Sequence, residues 1–153
     1  MPLLPPRTAQ VRGRLTPWDH PVMTQGALGD FIRRYIQRVV NEHDITAVDE
    51  LVSPHYAGSG DNWPADVDSL RAFYERQASR RPDWRIDVQE TMEVGQWVAV
   101  RAYAGGIELY DDEGNRQALP LLTAVEWMAL YKVSNERIVE ARLISSVDRS
   151  AGR

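Results

Sequence analysis

Residues 81–101 read RPDWRIDVQETMEVGQWVAVR, and inside this stretch the spacing of apolar side chains changes from one period to another. After Pro82, the residues Trp84, Ile86 and Val88 alternate with Arg85, Asp87 and Gln89. That period of two sends successive side chains to opposite faces of a strand. The patterned sequence before this point is helical, and the sequence after it is predicted to be sheet.

Upstream, Leu28, Phe31, Ile32, Tyr35, Ile36, Val39 and Val40 recur at intervals of three and four, which lines one face of a helix. A shorter helix follows with Ile45, Val48, Leu51 and Val52 inward. It is stopped at Ser53-Pro54, because proline lacks a donor and biases the residue before it away from helix. Residues 55–64, HYAGSGDNWP, read as a short strand or loop. Asp66 is a predicted N-cap for a third helix that runs through Val67, Leu70, Phe73 and Tyr74 to the Arg80-Arg81-Pro82 stop. Downstream, 97–110, 118–133 and 138–147 read as long strands joined by turns at 111–115 and 134–136, hence as antiparallel neighbours. Gly105-Gly106 inside a strand predicts a bulge or sharp bend. The expectation is one α+β domain over residues 25–148: three N-terminal helices packed in a curved antiparallel sheet around a cone-shaped pocket. Residues 1–24 read as a flexible Pro-rich extension, within which Met23 offers an alternative start, and 149–153 as a tail.

The chain has 153 residues, 43% of them hydrophobic, enough for one core without disulfides. A net charge of -4 gives no basic footprint for a phosphate backbone, so nucleic acid is not an expected partner. The absence of cysteine removes disulfides, thiolate catalysis and cysteine-ligated metals. No apolar run approaches the roughly 20 residues of a membrane span and no secretory stretch is visible, so no membrane association and a cytoplasmic location are expected. His20, His43 and His55 lack ligand spacing, and no Gly-rich phosphate loop follows a strand. Neither a metal nor a cofactor is expected.

The segment 81–101, with its Pro-Asp, alternating strand, Gly turn and closing Val-Ala-Val-Arg, resembles the SnoaL-like polyketide cyclase branch of the nuclear transport factor 2-like superfamily. Residues 131–148, YKVSNERIVEARLISSVD, resemble that branch's closing hairpin. The resemblance spans about residues 25–148. It implies cofactor-independent chemistry of the kind done by cyclases, ketosteroid isomerases and small epoxide hydrolases. The expected function is therefore a cyclase, isomerase or epoxide-opening enzyme that uses carboxylate acid–base chemistry on an apolar, oxygenated metabolite of polyketide type. The alternative is a non-catalytic ligand-binding or dimeric interaction module.

Such chemistry calls for a carboxylate against an apolar wall and a donor for the developing oxyanion. Asp61 stands where similar isomerases and epoxide hydrolases carry an acid, flanked by Asn62 as donor and Trp63 as wall; otherwise it is a turn residue. Glu126 interrupts the apolar run TAVEWMALYKV on the same face as Met128 and Leu130, and is either a buried second acid or solvent-facing. Arg101 matches the active-site Arg of the small epoxide hydrolases, or pairs with a nearby carboxylate. Tyr56, Tyr103 and Tyr35 are candidate phenolic donors, or core residues with satisfied tips. The family patterns are not copied whole. The acid expected two residues after Arg101 is Tyr103, the closing-strand acid is replaced by Ser146 with Asp148 two residues on, and the isomerases' second acid falls near Ala129. Trp84, Trp97 and Trp127 on the strands suggest a sheet face that forms a homodimer.

Overall fold

The computed structural model describes residues 26–106, 109–117 and 123–148; for residues 109, 117, 123, 124 and 145–148 the description covers the backbone only. The expected extension at 1–24 and tail at 149–153 lie outside these residues. Helix α1 (Ala27–Ile36) continues into a π-helical turn over Gln37–Asn41. Helix α2 (Thr46–Leu51) leads into strand β1 (Val52–Ser59), and α3 (Val67–Arg80) starts at Asp66, whose carboxylate accepts from the Ser69 amide. Strands β2 (Arg85–Val94), β3 (Trp97–Gly106), β6 (Thr123–Ser134) and β7 (Arg137–Asp148) complete the main sheet. The short β4 (Leu109–Tyr110) and β5 (Arg116–Gln117) form a separate ribbon. Its turn is built on Asp111, which accepts from the Glu113 and Asn115 amides.

The sheet order is β1-β7-β6-β3-β2, and three helices pack against its concave face as α+β patterning requires. The sheet is mixed, a departure from the expected antiparallel arrangement: β1 runs parallel to β7 while every other pair is antiparallel. Short turns fix antiparallel pairing only between consecutive strands, and β1 meets a strand from the far end of the chain. Pro54 lies inside β1, which begins at Val52 and runs through the first half of the segment read as a short strand or loop. An edge strand tolerates proline, and the register irregularity between Val52 and Ala57 absorbs it.

No bulge occurs at Gly105-Gly106, where the β3–β6 register is continuous. The irregularities lie instead at Gln89 in β2, at Ile144 in β7 and beside Val133 in β6. Gly106 serves a close crossing: a Cβ there would lie 3.1 Å from Trp84 Cα and 2.8 Å from an Asp83 oxygen. The β6–β7 turn places Asn135 and Glu136 at φ 53 and 60, the left-handed pair that a tight hairpin needs.

Along β3 the inward residues are Val98, Val100, Ala102 and Ala104, all buried; the first three share a core with Ile32, Tyr35, Ile36 and Val39 of α1 and the π turn, and Ala104 lines the space beyond it. The outer edge of β2 is sealed by side chains from the first helix. Asn41 donates to the Ile86 carbonyl at 3.0 Å and accepts from the Ile86 amide at 2.8 Å, and Arg33 donates to the Val88 carbonyl. Asn41 thus stands in for a neighbouring strand and satisfies backbone groups that would otherwise template aggregation. Asn41→Leu should lower stability by about 1–3 kcal/mol, the cost of stranding that amide and carbonyl. A urea midpoint unchanged from wild type would contradict this seal.

Candidate functional site

A cavity of about 180 Å³ lies between the helices and the sheet. The first helix and the segment after it contribute Ile36, Val39, Val40 and His43; α3 contributes Phe73, Tyr74, Gln77, Ala78 and Arg81 at its C-cap. Trp84, Ile86, Ala104, Val125, Trp127 and Tyr131 line it from the sheet side, and Trp63 from the loop after β1. The helical contributors follow from spacing, since positions three and four apart share a face.

Trp63 is placed by two contacts. The Gly58 amide donates to the Ala65 carbonyl and folds the loop back over β1, at a position where any Cβ would collide with the Pro64 carbonyl. The indole Nε1 of Trp63 then donates to the Tyr56 hydroxyl at 2.9 Å. The Trp63 ring lies 5.7 Å from Phe73 and 6.3 Å from Trp127, both tilted, so three aromatic rings bound one side of the cavity.

Deeper in, Tyr35 is buried and donates to the Tyr74 hydroxyl at 3.2 Å. Burial, reinforced by the neighbouring tyrosines, holds the Tyr35 hydroxyl well above its ordinary pKa. Burial also pushes Tyr74 up to about 12, against the opposing effect of the bond from Tyr35. Tyr74 therefore stays protonated at neutral pH. Its oxygen accepts from Tyr35, and its own O–H has no acceptor among the described residues.

Polar side chains interrupt the wall at His43, Gln77 and Arg81. His43 sits in left-handed backbone at φ 56, uncommon for a residue with a Cβ, and its Nε2 lies 2.8 Å from the Pro82 carbonyl oxygen. A carbonyl can only accept, so Nε2 carries the hydrogen and a neutral ring leaves its lone pair on Nδ1. The Arg81 guanidinium lies over the Trp84 ring at 4.7 Å.

The structure separates the residues proposed from sequence. Tyr35, Tyr56 and Trp63 are gathered at the cavity, Trp63 in its wall and the two tyrosines behind it. Asp61 and Asn62 are the exposed central residues of a turn closed by the Trp63 amide on the Gly60 carbonyl, with Asn62 at φ 57. Glu126, Arg101, Tyr103 and Met128 lie on the opposite, convex face. There Arg101 pairs with Glu90 at 3.2 Å and Glu126 at 3.5 Å and lies over the Tyr103 ring, while Met128 is exposed. Alternation correctly grouped Glu126 with Met128, but the side of the sheet that pair would occupy is set by Trp127, which turns inward. Ser146 faces Trp127 across β6–β7 by backbone register, and its side chain lies outside the description. The indoles assigned to an outer dimer face divide as well: Trp84 and Trp127 line the cavity, and Trp97 stays on the convex side beneath Lys132 and Arg142.

No carboxylate lines the cavity among the described residues, and no group of three His, Asp or Glu there could hold a metal. No helix among them is long and apolar enough to cross a membrane.

A helix-filled, curved sheet with an aromatic cavity defines a small α+β pocket domain of the nuclear transport factor 2-like and ketosteroid isomerase-like kind. Residues 32–141 match the SnoaL-like domain, and the chain belongs to that family. Similar solved structures include IdmH, a candidate polyketide cyclase from Streptomyces antibioticus, with 18% identity, 81% of this chain and 93% of that chain covered, and a TM-score of 0.64. A candidate polyketide cyclase from Acidithiobacillus ferrooxidans is also 18% identical, with coverage of 76% and 86% and a TM-score of 0.65. A protein of ketosteroid isomerase-like fold from Catenulispora acidiphila, solved with trimethylamine, is 12% identical, with coverage of 75% and 84% and a TM-score of 0.61. The sequence has no match among curated proteins.

Trp63→Ala should cost about 3 kcal/mol by emptying part of the aromatic wall, read as a lower urea midpoint. Asp61→Asn and Glu126→Gln should leave ligand affinity unchanged, since neither side chain reaches the cavity. A large loss of affinity in either acid variant would contradict this geometry.

Proposed function

We propose that this protein is a cofactor-independent cyclase or isomerase that moves protons on an apolar, oxygenated metabolite of polyketide type. The observation that carries the reading is the Tyr35–Tyr74 pair, which leaves a protonated Tyr74 hydroxyl in an aromatic wall with no acceptor among the described residues. A substrate carbonyl would accept that hydrogen, and more strongly as it became an enolate, in a site where apolar walls strengthen electrostatic interactions. His43 would be the base. With its Nε2–H committed to Pro82, Nδ1 accepts the proton α to the carbonyl and the released electron pair shifts onto the carbonyl oxygen as the enolate. The enolate carbon then either attacks a second carbonyl of the same molecule, closing a ring whose new alkoxide takes the proton back from His43, or, where a double bond is conjugated with the enolate, the dienolate takes that proton back at its far carbon. Family membership supports this class of role. With no carboxylate in the described cavity wall, epoxide opening is the least favoured of the three reactions.

The same lack of a lining carboxylate favours a second reading, a pocket that binds without chemistry. Deuterium exchange at the α carbon of 2-tetralone in heavy water, followed by proton NMR, separates the two. The enzyme reading expects exchange above the buffer rate, a loss of roughly 10²-fold in Tyr74→Phe, and a further loss in His43→Gln. Exchange at the buffer rate with the ketone demonstrably bound would leave a binder.

The convex face of the sheet is the proposed contact for a second copy of the chain. Met92, Val94, Tyr103, Met128 and Ile144, the large apolar residues exposed among the described ones, all belong to its strands. Its charges are largely paired within the protomer, Arg101 with Glu90 and Glu126 and Arg142 with Glu140, so an identical face meets little net repulsion. Sedimentation velocity at tens of micromolar should show a dimer for wild type and a monomer for the double variant Met92→Lys, Val94→Lys. A monomeric wild type would overturn the contact.

A further inference from the structure

Arg81 is the one cation in the described cavity wall, and it forms no ion pair among the described residues. Among the described residues no carboxylate lies within 4 Å of its guanidinium; the Trp84 ring lies below it, Arg80 stands beside it, and Asp83 adds a weaker opposing field. Arg80 is itself engaged, donating to the Tyr110 carbonyl at 3.0 Å and lying 3.8 Å from Asp112. Partial burial, and then the like charge of Arg80, hold the Arg81 pKa below its ordinary value, so the cation is held where its charge is disfavoured. A half-buried charge of this kind costs stability unless something pairs with it. Gln77, one helical turn back on the same face, adds an amide that makes no hydrogen bond through its side chain among the described residues. Apart from His43, the rest of the wall is aromatic and aliphatic.

We infer that the ligand is an organic anion: a flat apolar body of one or two rings lying against the wall formed by Trp63, Phe73 and Trp127, bearing a carboxylate or comparable oxyanion that pairs with Arg81. This deepens the pocket reading proposed above and rests on the cavity being the ligand site, not on the proton transfer. The size limit follows from the volume of about 180 Å³, against the roughly 150 Å³ of an engineered apolar cavity that holds benzene. The planar guanidinium fork matches a carboxylate edge, and its stacking on Trp84 fixes it before the ligand arrives, which lowers the ordering cost of binding.

The test is calorimetric titration of the full chain with 2-naphthoate and its neutral isostere 2-naphthamide. Wild type should bind the anion at least tenfold more tightly than the amide. Arg81→Gln should bring the naphthoate and naphthamide affinities together, with a wild-type-like far-UV circular dichroism spectrum showing that the variant is folded, and Arg81→Lys should restore part of the preference. Equal affinities in wild type, or a preference that survives in Arg81→Gln, would overturn the inference and leave the pocket reading standing. Failure of both probes to bind would overturn the inference together with the pocket reading. Tyr74→Phe should keep the anion preference, so loss of α-proton exchange in that variant is a separate outcome.

Discussion

The inward side of β3 shrinks along its length, from Val98 and Val100 through Ala102 and Ala104 to Gly106, and the site depends on this taper. Where the valines stand, α1 presses onto the sheet and the core closes completely. Where the side chains dwindle, the sheet stays wide of the helices, and the space is bounded by long aromatic residues reaching across from β6, α3 and the Trp63 loop. Removing volume from one strand while adding it on its neighbours leaves a void that close packing cannot fill, because each aromatic ring already rests against another. Gly106 ends the taper by letting the backbone at Trp84 cross directly over β3, which carries that indole to the cavity.

Much of this was legible in the sequence because period and punctuation are local signals. The apolar stripe from Leu28 to Val40, the Asp66 cap and the switch to alternation after Pro82 each correspond to an element. The β1–β7 parallel pair was not legible: hydrogen bonding between strands from distant parts of the chain leaves no trace in either strand's pattern. Pro54 hid the start of β1, since proline reads as a break unless the strand is known to lie at an edge. In the site, the search for misplaced carboxylates led to Asp61 and Glu126, while the polar residues in the cavity wall are His43, Gln77 and Arg81. Their signal was present. His43 follows Ile36, Val39 and Val40 at helical spacing, and Gln77 and Arg81 follow Phe73 and Tyr74 in the same way, as polar interruptions of a buried stripe. Considering histidine only as a metal ligand concealed the first of them.

Glu126 shows why alternation alone cannot decide between pocket and exterior. A period of two sorts residues into two sets without saying which faces inward, and apolar character normally settles it. In β6 both sets are apolar: Val125, Trp127, Ala129, Tyr131 and Val133 on one side, Met128 and Leu130 on the other. The bulkier set faces the cavity, and Glu126 falls among residues whose charge is matched by Arg101 outside.

The pairing of β1 with β7 bears on how the chain comes to be folded at all. Residues near position 52 wait for partners near position 140, so the sheet cannot be finished until β7 has been made. During synthesis the apolar stripes of all three helices are made before the concave surface that covers them. Pairs this distant slow folding and lengthen the time those stripes stay open to water and to other chains. The turn that follows α1 carries Asn41, the group that later closes the edge of β2. The side chain that guards the finished sheet against other chains is therefore in place before the strand it protects has been made.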